Sequence, residues 1–287
     1  MSKKFLLIIF LFPLILSAQE KSIKIVTYDS LFIADCKKFI YKELGTELDS
    51  SYFTKRNYLD KPYIYIYVSR PDMVAAPEDN GPFTTASDDA ESLRKTSEME
   101  KKGLQTMCYK TNANASTHMN NLFLAYPHEA IAFIMFHELT HNYQSYRHLS
   151  LPYEFNEAIS DVIGNYGALK YAEETSKVDL KAVKHQLKTN EKIYACINLT
   201  TDKVNRNQAK QKIYHEKCYK TIRKILKHGN QFQKDRFDYT VNNAYLLRYS
   251  NYCKNYFLLK DVLMKEGSIK GLLEEMKHAV NTAGTDD

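Results

Sequence analysis

The stretch FHELTHNYQSY, Phe136–Tyr146, sets His137 and His141 four residues apart, with Glu138 directly after the first. It continues an apolar run, AIAFIMF (Ala130–Phe136), which is hydrophobic on every side of a helix and so belongs in a protein interior. Ionisable groups are costly there unless paired or coordinated. Residues i and i+4 of a helix share one face. His137 and His141 can therefore aim both imidazoles at one point, as two ligands of a tetrahedral Zn2+. Glu138 is displaced around the axis, placed to hold a water on the metal rather than the metal itself.

A catalytic zinc site takes a third protein ligand and keeps its fourth position for water. Fifteen residues after His141 begins NEAISD, Asn156–Asp161. Glu157 and Asp161 are again i and i+4, on one face of the next helix, with Asn156 as its expected N-cap and Pro152 on the approach. Glu157 can close the ligand set. Glu154 is a possible substitute, but no aspartate follows it one turn later. Asp161 can accept the outer N–H of a ligand histidine, fixing its tautomer and raising its basicity.

HELTH followed by NEAISD resembles the thermolysin-like zinc metallopeptidases, the gluzincins, in which the two words occur in this order. The resemblance spans about 25 of the 287 residues. It implies that His137, His141 and Glu157 bind zinc, that Glu138 is the general base, and that Asp161 supports a ligand histidine, His137 before His141. The connection between the words is a few residues shorter here, and the family's downstream aspartate–histidine element is not found. The chain therefore resembles a divergent member.

The expected fold is α+β and zincin-like. A small α/β lobe (19–126) precedes a mostly helical lobe (127–287), with the metal site in the cleft between them. SIKIVTY, KPYIYIYVSRP, LQTMCYK and HMNNLFLAYP read as strands and SLFIADCKKFIYKEL as a helix. Residues 71–103, rich in turn formers, read as a long loop or lid with a short helix near SLRKTSEMEKK. Helices are expected over 128–146, 155–173, 177–197, 206–228, 236–265 and 268–280, with Gly229 and Gly267 as stops.

MSKK, FLLIIFLFPLIL and SAQE read as the basic start, apolar core and exit of a signal peptide, residues 1–18. The expected mature protein is bacterial, exported to the periplasm or secreted, with no membrane span after cleavage. Five cysteines at 36, 108, 196, 218 and 253 lack ligand spacing, so a cysteine zinc site is not expected, and an odd count leaves one unpaired. The net charge of +6 comes from lysines spread along amphipathic helices. No nucleic-acid motif accompanies them, so a nucleic-acid partner is not expected.

A peptide or protein substrate fits these features: zinc polarises the carbonyl, and Glu138 takes the proton of the attacking water and passes it to the leaving amine. The oxyanion needs a further donor. Tyr245 leads the candidates, ahead of Tyr239 and Tyr249, with His215 and His228 behind. HMNNLFLAYP is a candidate substrate-pairing strand edge. Two other readings use the same residues: a zinc-binding or interaction protein that no longer cuts, and a deformylase-like amidase with Cys108 as a ligand.

Overall fold

A computed structural model describes residues 31–45, 62–78, 81–111, 125–147, 149 and 151–283. The expected signal peptide, the strand SIKIVTY and residues 118–124 of HMNNLFLAYP lie outside the described residues.

Residues 31–44 form helix α1. Strands β1 (Tyr63–Ser69), β2 (Phe83–Ala86) and β3 (Gln105–Thr111) build an antiparallel sheet in the order β2-β1-β3. Tyr65 stands opposite both Thr85 and Tyr109. Side chains alternate between the two faces of a strand. On one face Cys108 meets Ser92 of helix α2 (Asp89–Lys101), at 3.1 Å. On the other, Tyr67 and Tyr109 lie against Arg248 of helix α8 (Asn243–Cys253). The sheet is thus sandwiched between α2 and α8. The short helix expected near SLRKTSEMEKK is α2, and the described residues of 71–103 also include a strand, β2. The start of α2 is fixed by the Asp88 carboxylate accepting the Glu91 N–H at 2.8 Å.

The rest of the described chain is helical: α3 (His128–Tyr146), α4 (Tyr153–Thr175), α5 (Leu180–Arg206), α6 (Gln211–Leu226), α7 (Gln231–Phe237), α8, α9 (Tyr256–Glu266) and α10 (Ile269–Ala283). The fold class is α+β, mostly helical with a small antiparallel sheet. The long helix expected over 236–265 is three shorter ones. Asn242 starts α8 by accepting the Tyr245 N–H, and Asn230 starts α7 with a reciprocal capping box to Gln233. No described helix is long and apolar enough to cross a membrane.

Helices α3 and α4 lie against each other at the centre, and α1 closes over them through Phe39, whose ring meets Phe136 and Tyr171. Two glycines set the α3–α4 spacing. A Cβ on Gly164 would stand 3.0 Å from the Phe133 carbonyl oxygen, and one on Gly167 would stand 2.9 Å from the Phe136 ring. Backbone therefore packs on ring, and the face of α3 carrying the histidines is drawn onto α4.

Candidate metal centre

His137 and His141 project from α3 at successive turns, and Glu157 meets them from the first turns of α4. The two Nε2 atoms are 3.2 Å apart, and Glu157 Oε2 lies 3.6 Å from each. That separation is too long for a hydrogen bond. Glu157 is 8 % exposed, and its Oε2 has no hydrogen-bond partner. Three donor atoms thus converge, one a buried oxygen satisfied by nothing in the protein. It is the group of histidine, cysteine and acid side chains among the described residues that could hold a metal ion.

The outer nitrogens face acceptors, so a neutral or metal-bound ring carries its proton on Nδ1 and presents Nε2 to the other donors. His137 Nδ1 lies 2.8 Å from Asp161 Oδ1, at ion-pair distance but off the best hydrogen-bond line. His141 Nδ1 lies 2.8 Å from Asn156 Oδ1 and 3.2 Å from the Ser160 hydroxyl. Ser160 donates to the Asn156 carbonyl at 3.0 Å, which leaves its oxygen free to accept from His141. Asn156 is therefore not the cap of α4. The helix begins three residues earlier, behind Pro152, and the Asn156 amide supports a histidine instead.

Behind His137 the support is ionic. Asp161 is fully buried and receives Arg236 Nη2 at 3.0 and 2.8 Å and the Tyr194 hydroxyl. Arg236 in turn stands within 5.0–5.9 Å of the rings of Phe133, Tyr194, Phe232, Phe237 and Tyr252.

Without a metal, burial alone would lower the His137 pKa, but Asp161 and Glu157 outweigh it and lift it to about 10. Burial likewise opposes the charged form of His141, and Glu157 reverses the sign. Burial would raise Glu157, but the histidines hold it well below the carboxylate range. Asp161 is kept low against burial by Arg236 and His137. Glu138, half-buried beside the two rings, is the one acid of the cluster whose pKa rises, because burial exceeds the pull of the histidines.

His137, Glu138, His141, Glu157 and Asp161 are thus brought together. Tyr245 is not brought with them. It is fully buried, its hydroxyl donates to the Phe237 carbonyl at 3.2 Å, and its ring packs on Tyr249. A phenol committed to the backbone of α7 does not serve as an oxyanion donor. Tyr249 donates to the Arg236 carbonyl, and His215 lies 3.0 Å from the Asn243 side chain. The tyrosine that does reach the centre is Tyr252, half-buried, with its ring stacked on His137 at 6.1 Å. Tyr153, 38 % exposed, stands one turn before Glu157 and touches Phe83 of β2.

Comparison with known protein families, with curated proteins and with solved structures finds no match.

Proposed function

We propose that the protein is an exported zinc-dependent metallopeptidase of zincin-like fold, with His137, His141 and Glu157 as metal ligands and Glu138 as general base. The observation that carries this reading is the orphaned Glu157 oxygen, equidistant from the two imidazole Nε2 atoms. Ligands at about 2.0–2.2 Å from a tetrahedral zinc stand roughly 3.4 Å from one another. The separations of 3.2 and 3.6 Å fit that triangle. Two histidines and one carboxylate also form the donor set of hydrolytic zinc sites that keep a position for water.

When bound, zinc would supply Lewis acidity, polarising a substrate carbonyl and making water a nucleophile near neutral pH. The side chains do the rest. Asp161 and Asn156 hold the rings in the tautomer that presents Nε2. Glu138, one residue from a ligand and raised by burial, accepts a proton from the attacking water and returns it to the leaving amine. Tyr252, whose ring stacks on His137, and Tyr153, one turn before Glu157, are the candidate donors to the developing oxyanion. Phe83 carries β2 to the start of α4, which makes residues 71–103 part of the substrate wall.

Elemental analysis of the purified chain is the test. About one zinc per wild-type chain is expected, lost in Glu157→Ala and kept in Glu138→Gln, with hydrolysis of a mixed peptide library abolished in both. Absence of zinc after reconstitution overturns the reading. Full zinc occupancy with an inert wild type would favour a peptidase-like binding protein instead.

A further inference from the structure

Arg248 is the second buried arginine near the metal centre, and no acid pairs with it among the described residues. It is 3 % exposed on α8, with its guanidinium carbon 3.5 Å from the Tyr109 ring centre, 4.4 Å from Tyr249, 5.3 Å from Tyr67 and 5.4 Å from Tyr252. Its Nε and Nη1 are buried without a hydrogen-bond partner. The largest influences on its charge, after burial, are the side chains of Tyr249, Tyr109, Tyr252 and Tyr67. Stacked rings attract a cation, but they leave its N–H groups unsatisfied.

Arg236 shows the contrast. It too is ringed by aromatics, yet it meets Asp161 at 2.8 Å. Across the cluster, Asp161 balances Arg236, and Glu138 with Glu157 would balance a divalent ion. Among the described residues of this cluster Arg248 remains uncompensated, and a buried charge without a partner is strongly unfavourable. Tyr252 touches both sides, lying against Arg248 and stacked on His137. Tyr67 and Tyr252 both feel Glu157 and Arg248 at once. One ring separates the guanidinium from the metal centre.

We propose that Arg248 is the binding site for a carboxylate of the ligand, reached from the metal centre when the half-buried Tyr252 ring turns aside. The planar guanidinium fork matches a carboxylate in two parallel hydrogen bonds, supplying the counter-ion that the fold withholds. This deepens the peptidase reading and rests on it in taking the ligand to be a peptide substrate. The acid sits within about three residues of the bond that is cut, given the reach of an extended chain. It is either the C-terminal carboxylate or an Asp or Glu side chain.

Calorimetric titration of the full chain separates these cases. The probes are N-acetyl-Phe-Ala with a free carboxylate, its C-terminal amide, and N-acetyl-Phe-Asp amide, which carries its acid only on a side chain. Each is measured with zinc-loaded Glu138→Gln and with metal-stripped wild type. At least one acid is expected to bind about tenfold or more tighter than the neutral diamide, and which acid wins names the source. Arg248→Met should bring that ratio below about twofold, and Arg248→Lys should keep part of it. The inference is overturned if neither acid is preferred, or if a folded Arg248→Met, checked by circular dichroism, keeps the preference. Should Arg248→Met not fold, a preference left undiminished in Arg248→Lys overturns it equally. Failure of the peptidase reading looks different: zinc or hydrolysis is missing while the acid preference persists in the stripped protein.

Discussion

The two candidate ligand histidines share a helix and point at the same place, yet they are held by opposite kinds of chemistry. His137 rests on a fully buried carboxylate that is itself pinned by Arg236 and Tyr194. His141 rests on a neutral amide and a hydroxyl. A carboxylate partner raises imidazole basicity as well as orienting the ring, whereas an amide mainly orients it. The difference follows position. Asp161 lies deeper along α4, where Arg236 can be buried beside it, and Asn156 lies at the outer end of the helix. The inner side of the centre is built to be rigid and charged. The outer side is built to be aligned without adding a second negative charge beside Glu138 and Glu157.

The sharpest way to break that comparison is Asp161→Ala. It leaves Arg236 buried and unpaired, so the metal-stripped protein should lose roughly 3–5 kcal/mol of stability. Zinc affinity should fall by about 10–100-fold. Denaturant unfolding and competitive zinc titration read the two effects separately. A loss of affinity without a loss of stability would mean that the Asp161–Arg236 pair is not the structural element described here.

Gly164→Ala tests the frame rather than the ligands. The added methyl meets the Phe133 carbonyl at 3.0 Å, and backbone yields less readily than a side-chain tip. The expected cost is about 1–3 kcal/mol from overpacking. Zinc should weaken as well, because Glu157 on α4 retreats from both histidines on α3 at once. Gly164→Ala with normal stability but weakened zinc would place the whole effect in the spacing of the two helices.

How much of this was legible follows from range. The α3 boundaries could be read because the apolar run and the two histidines sit on one continuous helix. Strands β1 and β3 showed through the alternation of Ile and Tyr in YIYIYVS and through QTMCYKT. The convergence of His137, His141, Glu157 and Asp161 was legible because the spacing is local, i and i+4 on each of two adjacent helices. Arg236 and Tyr194 were not, since they reach Asp161 from 75 and 33 residues away and no periodicity records such a pairing. Asn156 was misplaced because an asparagine near a helix start is read first as a cap. Pro152, whose preset φ starts the helix earlier, left it free for His141. Tyr245, expected first among the oxyanion donors, is placed instead by its neighbours Leu246 and Leu247. A tyrosine amid leucines on a helix is core, and its hydroxyl found a backbone carbonyl there. The glycines of α4 carried an overlooked signal: three residues apart on an otherwise bulky helix, they mark a close approach by a neighbour.

The outer histidine should be more forgiving. Asn156→Ala removes one acceptor and leaves the Ser160 oxygen, 3.2 Å from the same nitrogen. Zinc affinity should fall by about tenfold, the low end for the partner of a ligand histidine. Stability should change little, because no charge is stranded. If Asn156→Ala costs as much stability as Asp161→Ala, the division into a charged inner side and a neutral outer side is wrong.

The smallest expected effect is the most informative about design. Asn156→Asp gives His141 the kind of partner that His137 already has. Greater basicity should tighten zinc by a few-fold, on the order of the gain a carboxylate brings over an amide. The new charge also lies near Glu138 and Glu157, and like charges disfavour ionisation. Glu138, already raised by burial, should then rise further. The acidic limb of any pH–rate profile should therefore move to higher pH, while the affinity gain appears in zinc titration at neutral pH. Tighter zinc with an unshifted limb would separate Asn156 electrostatically from Glu138 and leave orientation as its whole role. Weaker zinc would mean that the outer histidine is limited by geometry, and that the neutral partner was selected for fit rather than for charge.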